Sequence, residues 1–272
     1  MSEIKIASWN INSVRLRIGL VEKFLKAAKP DALALQETKT PNDLFPAKAF
    51  HKLGYKHIAM HGQKGHHGVA IVSRVPFEEE TRAVFADKDD CRHICVRLLP
   101  EAAEPIEIHN FYVPSGGDLP DPEANAKFAH KLKFLKGMRD FSKRLANGKG
   151  EGRRLIMGDL NIAPLEHDVW SHKQMLDVVS HTPVEIEHLS TVAAAHDWKD
   201  LARLQTPEPE KLYTWWSYRA RDWQASDRGR RLDHIWASPA LAPRFKAIEI
   251  LRPARGWKRP SDHVPVVATF DA

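Results

Sequence analysis

The chain has 272 residues, 43% of them hydrophobic and 28% charged, which allows a large buried core and excludes extensive disorder. Its 41 Lys and Arg against 35 Asp and Glu give a net charge of +6 and a pI near 9.2, a balance that suits a polyanionic partner and says nothing about fold. No run of about 18 apolar residues occurs, so no membrane-spanning helix is expected.

In chain order, IKIASWNI reads as a strand. Leu16, Leu20, Phe24 and Ala28 then recur at helical spacing, with Pro30 as the stop. DALALQE (31–37) is an apolar run ending in a polar pair. YKHIAM, HGVAIVS, CRHICVRL and IEIHNFYV continue the strand pattern. The link PSGGDLPDP precedes a helix marked by Phe128, Leu132, Leu135, Arg139 and Lys143, closed by NGKGEG (147–152). RLIMGDLN opens the next strand, and YTWWSYR, RLDHIWAS, AIEIL and HVPVVATF supply those of the final third. Mixed strands and helices with no long linker predict one α/β domain over 1–272, with sheet layers between helices. Cys91 and Cys95, placed on one strand face, would lie about 13 Å apart, too far for a disulfide. Unpaired thiols and an amino terminus without a signal-like apolar block predict a cytoplasmic protein.

The chemistry gathers at strand ends. Asn10 lies late in the first strand, Glu37 follows ALALQ, and Tyr112 follows IEIHNF. Asp159 and Asn161 close RLIMGDLN, Asp233 sits in RLDHIWAS, and Asp262 and His263 precede the last strand. In layered α/β folds such ends can converge on one rim. Glu37 and Asp262, with a carbonyl from Asn10, form an oxygen donor set suited to Mg²⁺ or Mn²⁺. A thiolate site is excluded, and the adjacent His66 and His67 read as a loop pair rather than a zinc site. His263 would act as a base or as a donor to a phosphate, oriented by Asp233. Asp159 would bind or deprotonate the attacking water with Asn161 orienting it. Asp159 and His263 both stand as candidates for the base.

The segments SWNINSVR, LQETK, HGVAIVSR, NFYVPSG, GDLNIAP with Asp168 following, YTWWSYR, RLDHIWAS and PSDHVPV run from residue 8 to 267. In that order they resemble the exonuclease III family of abasic-site endonucleases and 3′–5′ DNA exonucleases, within the endonuclease/exonuclease/phosphatase superfamily. The resemblance implies a four-layer α/β/β/α sandwich of the DNase I-like kind, with two mixed sheets face to face and helices outside. It implies Mg²⁺-dependent hydrolysis of DNA phosphodiester bonds 5′ to abasic sites, with 3′–5′ exonuclease and 3′-end phosphodiesterase or phosphatase activity on duplex DNA.

By matching motif, Asn10, Glu37 and Asp262 would serve the metal. Asp159 and Asn161 would handle water, His263 would pair with Asp233 at the scissile phosphate, and Tyr112 would bond a phosphate oxygen or help the leaving group. Trp215 and Leu232 would line a pocket for an abasic deoxyribose, with Trp216 and Arg219 on the duplex. Ser115 and Asp118 depart from the family pattern, where many relatives carry an amide and some an arginine, and this bears on how tightly nicked product is held. Two other readings are a phosphodiesterase acting on a phospholipid or inositol phosphate, and a catalytically silent DNA-binding module. The first calls for a membrane-facing apolar loop that the sequence lacks. The second would not need Glu37, Asp159 and His263 together. A monomer is expected, since no oligomerisation seam is visible.

Overall fold

Alternation along the first strand already defines two packing faces. In β1 (Glu3–Asn10), Ile4 and Ile6 point into one apolar cluster while Ala7 and Trp9 point into another. The computed structural model, which describes residues 3–101, 103–148 and 152–271, repeats this logic in every major strand. The centre of the predicted NGKGEG closure, 149–151, lies outside the described residues.

The strands that follow are β2 (Ala32–Gln36), β3 (His57–His61), β4 (Val69–Ser73), β5 (Phe77–Thr81), β6 (His93–Leu98) and β7 (Ile106–Tyr112). Next come β8 (Arg154–Asp159), β9 (Lys199–Asp200), β10 (Trp215–Trp216) and β11 (Gly229–Arg230). The last are β12 (Asp233–Ala237), β13 (Phe245–Ile250) and β14 (Val266–Asp271). The helices are α1 (Ile18–Ala28), α2 (Ala47–Lys52), α3 (Ala126–Asn147), α4 (His172–Met175), α5 (Pro183–Ala194), α6 (Leu201–Gln205) and α7 (Trp223–Ser226).

One six-stranded sheet runs β13-β14-β1-β2-β4-β3 and the other β5-β6-β7-β8-β12-β9, each with a single parallel pair (β1–β2 and β7–β8) among antiparallel ones. Ile6, Ala34 and Ile71 of the first sheet meet Val96, Ile108, Met157 and Ile235 of the second in one buried cluster. The opposite face of the first sheet packs Trp9 and Leu35 on Phe24, Leu25 and Phe50 of α1 and α2. That of the second packs Phe111 and Ile156 on Phe134, Leu135, Met138 and Leu189 of α3 and α5. Four layers result, helix–sheet–sheet–helix, as the resemblance implied.

Several boundaries differ from the sequence reading. α1 begins at Ile18, so Leu16 is 57% exposed, and the buried stripe is Val21, Phe24 and Leu25. Lys29, in the left-handed region at φ 48°, ends that helix one residue before Pro30. β6 starts at His93, which leaves Cys91 outside the strand at φ 56°. The assumption of a shared strand face for the two thiols therefore fails, although both are free and buried. β5, α2 and α5 were not foreseen. β5 is a charged edge strand, and α5 follows the capping box Thr182–Glu185 with Pro183 at its first turn, a signal present in the sequence.

Register places the chemistry. Tyr112 of β7 pairs with Asp159 of β8, and Asp159 pairs with Asp233 of β12, so three candidate residues form one row across the second sheet. Asn10 ends β1 beside Gln36 of β2, one residue before Glu37. Gly158, at φ 132°, lets this row close. A Cβ there would sit 2.0 Å from the Phe111 carbonyl oxygen.

Candidate active site

Asp159 is the hub. Buried to 1% exposure, it accepts bonds from Asn10 Nδ2 (2.9 Å), the Asn161 backbone N–H (2.9 Å) and Asn161 Nδ2 (3.2 Å). Its Oδ2 also lies 3.6 Å from His263 Nε2. Burial pushes the Asp159 carboxyl up, only partly opposed by the His263 charge and reinforced by Asp233 and Glu37, to about 7. On the far side of the imidazole, His263 Nδ1 meets Asp233 Oδ2 at 2.8 Å, and Thr214 donates to the same oxygen at 2.6 Å. Burial alone would strip His263 of its proton, but Asp233 and Asp159 outweigh it and raise the group to about 10. His263 is therefore held as a cation that can donate.

Glu37, at φ 50°, takes Asn10 Nδ2 on Oε1 (2.9 Å) and Lys39 Nζ on Oε2 (2.8 Å). Burial raises its carboxyl, but Lys39 and Asn10 together hold it below the usual value. Tyr112 is 8% exposed, and its phenol lies well above its ordinary value because it is buried beside the charges of Glu37 and Asp159. It stays protonated and can donate. Arg92 clamps this tyrosine: its guanidinium lies 4.9 Å from the ring centre, and its Nη1 donates to the Tyr112 carbonyl at 3.3 Å.

Ligand atoms of Glu37, Asp159 and His263 all lie within 4.8 Å of one another. Asp262 is not in that group, and its oxygens accept from Asn12 Nδ2 (3.1 Å) and Trp215 Nε1 (3.0 Å). The Asn10 amide has partners of its own. Its Oδ1 takes the Asn12 backbone N–H at 3.0 Å, which turns the amide nitrogen toward the carboxylates. His263 holds its proton, so the donors here are the carboxylate oxygens of Glu37 and Asp159, and a hard divalent cation fits oxygen donors of this kind.

A second cluster, Cys95, Glu107 and His109, differs in kind. The Ala83 N–H donates to His93 Nδ1 (3.1 Å), so His93 Nε2 carries the proton toward His109 Nδ1 (3.2 Å), and His109 Nε2–H then points at Glu107 (2.5 Å). The nitrogen that would bind a metal is thus the one holding a proton.

Trp215 and Trp216 take opposite sides of the pleat, and only the first faces the cleft. Trp215, Leu232, Trp170 and Met175 share one apolar cluster. A cleft of about 600 Å³ is lined by Trp170, Trp215, Asp118, Arg219, Arg228 and Arg230. Arg230 lies 5.0 Å above the Trp215 ring and Arg228 4.5 Å above that of Trp170. Trp216 corrects the sequence reading: it is 1% exposed, packs against Tyr213 and Trp223, and donates Nε1–H to Asp227 at 2.8 Å, so it is core rather than a duplex contact. Arg219 is exposed at the cleft, as is Asp118. Ser115 is also exposed, and its carbonyl is bound from below by Lys131.

The sequence reading missed Asn12, Lys39, Arg92 and Thr214. Each holds a candidate residue without carrying a motif signature of its own, although the TK of LQETK and the T of YTWW were in view.

The model of the Endonuclease/Exonuclease/phosphatase family matches residues 7–263. Exodeoxyribonuclease III of Haemophilus influenzae is 30% identical over 279 aligned positions, covering 98% of this chain and all of the relative. Among solved structures, an AP endonuclease from Archaeoglobus fulgidus superposes with a TM-score of 0.90 at 32% identity, covering 99% of this chain and all of that one. The 3′ phosphatase NExo from Neisseria, bound to product DNA hairpin, gives 0.89 at 31% identity with the same coverage. With its buried Asp–His–Asp row beside a carboxylate cluster, the chain belongs to the Endonuclease/Exonuclease/phosphatase family, as a nuclease-type hydrolase of its exonuclease III branch.

Proposed function

We propose that this protein is a Mg²⁺-dependent DNA repair nuclease that hydrolyses the phosphodiester bond 5′ to abasic sites. In this reading it also removes nucleotides and blocking groups from 3′ ends of duplex DNA, acting as a cytoplasmic monomer. The observation that carries the proposal is the Asp159–His263–Asp233 row, held next to Glu37 and joined through the Trp215–His263 bridge to a cleft lined by tryptophan and arginine. Names of relatives support the range of substrates: one is an AP endonuclease, one a 3′ phosphatase and one an exodeoxyribonuclease.

Glu37 would hold the metal, with Asp262 joined to it through Asn12 and Lys39. When bound, Mg²⁺ supplies positive charge to the phosphate oxygens. Asp159, poised near neutrality, takes the proton of the attacking water while Asn161 fixes its approach. The water oxygen bonds to phosphorus as the bond to the departing 3′ oxygen breaks. The His263 cation and the Tyr112 hydroxyl donate to the charge that builds on the phosphate and leaving oxygen. Trp215 and Leu232 receive a deoxyribose that lacks its base, and Arg219 meets backbone phosphates.

The test is a duplex carrying one abasic analogue, incubated with protein and Mg²⁺. A nick leaving a 3′ hydroxyl, abolished by EDTA, is expected. An intact duplex, or cleavage indifferent to EDTA, would reject the reading. The two tryptophans give a second check. Trp215→Ala is expected to weaken abasic incision about 5- to 100-fold, from the loss of one aromatic platform. Trp216→Ala should instead lower stability by about 3–5 kcal/mol. Denaturation curves and steady-state kinetics on both variants separate these effects, and equal losses of incision without a stability difference would contradict the assignment.

A further inference from the structure

Under the loop that carries Asn161 lies a lysine with no access to solvent. Lys131, on α3, is 0% exposed, and its ammonium contacts three acceptors: the Asn161 carbonyl (2.8 Å), the Ser115 carbonyl (3.2 Å) and Glu185 Oε1 (2.5 Å). Glu185, equally buried, accepts in turn from the Ser180 N–H (3.0 and 2.9 Å), the Thr182 N–H (3.2 Å) and the Thr182 hydroxyl (2.6 Å). The motifs around Asp159 and Tyr112 absorbed neither residue.

Stability gives a weak reason for this pair. A buried ion pair repays its desolvation poorly against apolar side chains of the same size, and α3 already buries Phe128, Phe134, Leu135 and Met138. What the pair does provide is placement. Two loops leave adjacent strands of the second sheet, 113–116 after β7 and 160–164 after β8, and one ammonium holds a carbonyl of each. The second loop is clamped further along, where the Ala163 N–H donates to the Ser180 carbonyl (2.8 Å) and His181 Nδ1 meets the Ala163 carbonyl (2.6 Å). Asn161 itself is left-handed at φ 54°, and its amide donates both to Asp159 Oδ2 and to the Val113 carbonyl (2.8 Å). A backbone in that conformation persists only where its surroundings hold it.

We propose that Lys131, held by Glu185, is a positioning residue for hydrolysis: it fixes the main chain at Asn161 and Ser115 so that the Asn161 amide stays on Asp159. This rests on reading Asp159 and Asn161 as the water-handling pair, and it concerns the rate of bond cleavage rather than the choice of DNA lesion.

The test is the double variant Lys131→Met/Glu185→Gln, which removes both charges yet keeps an acceptor for the Ser180 and Thr182 N–H groups. Digestion of duplex 3′ ends and incision of an abasic duplex are both followed. A folded protein with kcat down about 10- to 100-fold and KM held within about threefold is expected, the cost of a small misplacement. Glu185→Gln alone keeps the two carbonyl bonds of Lys131 and should lose several-fold less kcat than the double variant. A folded double variant with native kcat, or Glu185→Gln losing as much as the double, overturns the proposal. Should the double variant not fold, Lys131→Arg takes its place. Lys131 is fully buried, so the bulkier guanidinium must shift the Asn161 and Ser115 carbonyls to fit, and kcat falls about threefold or more with KM unchanged, while native kcat overturns the proposal. If the native enzyme digests 3′ ends but ignores abasic sites, the proposed substrate fails while this test still runs on the exonuclease rate.

Discussion

Asp159→Asn is expected to lower kcat by about 10²- to 10⁴-fold, the range for loss of a positioned base, with DNA affinity nearly unchanged. The substitution is close to isosteric, and the neighbours explain the direction of each effect. Three N–H donors, from Asn10, the Asn161 backbone and the Asn161 side chain, converge on the Asp159 carboxylate. An asparagine there must turn its own amide toward one of them, and it can take no proton from water. Removing a buried negative charge from beside Asp233 and Glu37 also relieves repulsion, so the variant should be no less stable than the native protein. Single-turnover cleavage with saturating enzyme reads the chemical step, and fluorescence anisotropy of labelled duplex reads binding. A variant that retains a tenth or more of native turnover would remove Asp159 from the role of base.

The second large effect lies away from the chemistry. Arg231→Met should destabilise the fold by about 3–5 kcal/mol, the cost of leaving a buried ion pair broken. Arg231 is 0% exposed and grips Asp168 through two bonds (2.7 and 2.8 Å) while Nη1 meets Asp200 at 2.7 Å. Asp168, also 0% exposed, closes the turn at Leu165 by accepting its N–H at 3.1 Å and takes a further bond from Arg203 (2.5 Å). Without Arg231 the Asp168 carboxylate stays buried with one cation fewer. The companion Arg231→Met/Asp168→Leu, which removes both charges, should recover much of the loss. Urea denaturation of the single and double variants measures this, and a double variant no better than the single would show that the energy lies in packing instead. Asp168 follows the GDLNIAP motif in the sequence, and its partners make it a strut under the loop.

Asp168 and Trp216 mark where the sequence stops being legible. The strand ends bearing Asn10, Glu37, Tyr112, Asp159, Asp233 and His263 could be found from alternation and residue type, because a polar residue closing an apolar strand is a local signal. Which of two adjacent tryptophans faces the cleft depends on the pairing of β10 with β11, and that is tertiary. The same holds for Asp262: its residue type suits a metal, but Asn12 and Trp215, 250 and 47 positions away, decide where its oxygens point. The Asn10 amide is likewise oriented from outside its strand, by the N–H of Asn12. The four layers followed from the family resemblance. The edge strand β5 did not, because its charged run has no apolar alternation to reveal it.

The pairing of β1 with β14 has a consequence for biosynthesis. Residues 3–8 form a ladder with 266–271, and Trp9 reaches across to the His263 carbonyl at 3.1 Å. A chain still emerging from the ribosome can hold Glu37, Tyr112 and Asp159 in folded segments long before His263 exists. The imidazole that completes the row arrives only with the last strand, whose partner is the first. Contacts this distant in sequence form slowly. The Asp159–His263–Asp233 row therefore closes only at the end of folding, once β14 is laid against β1.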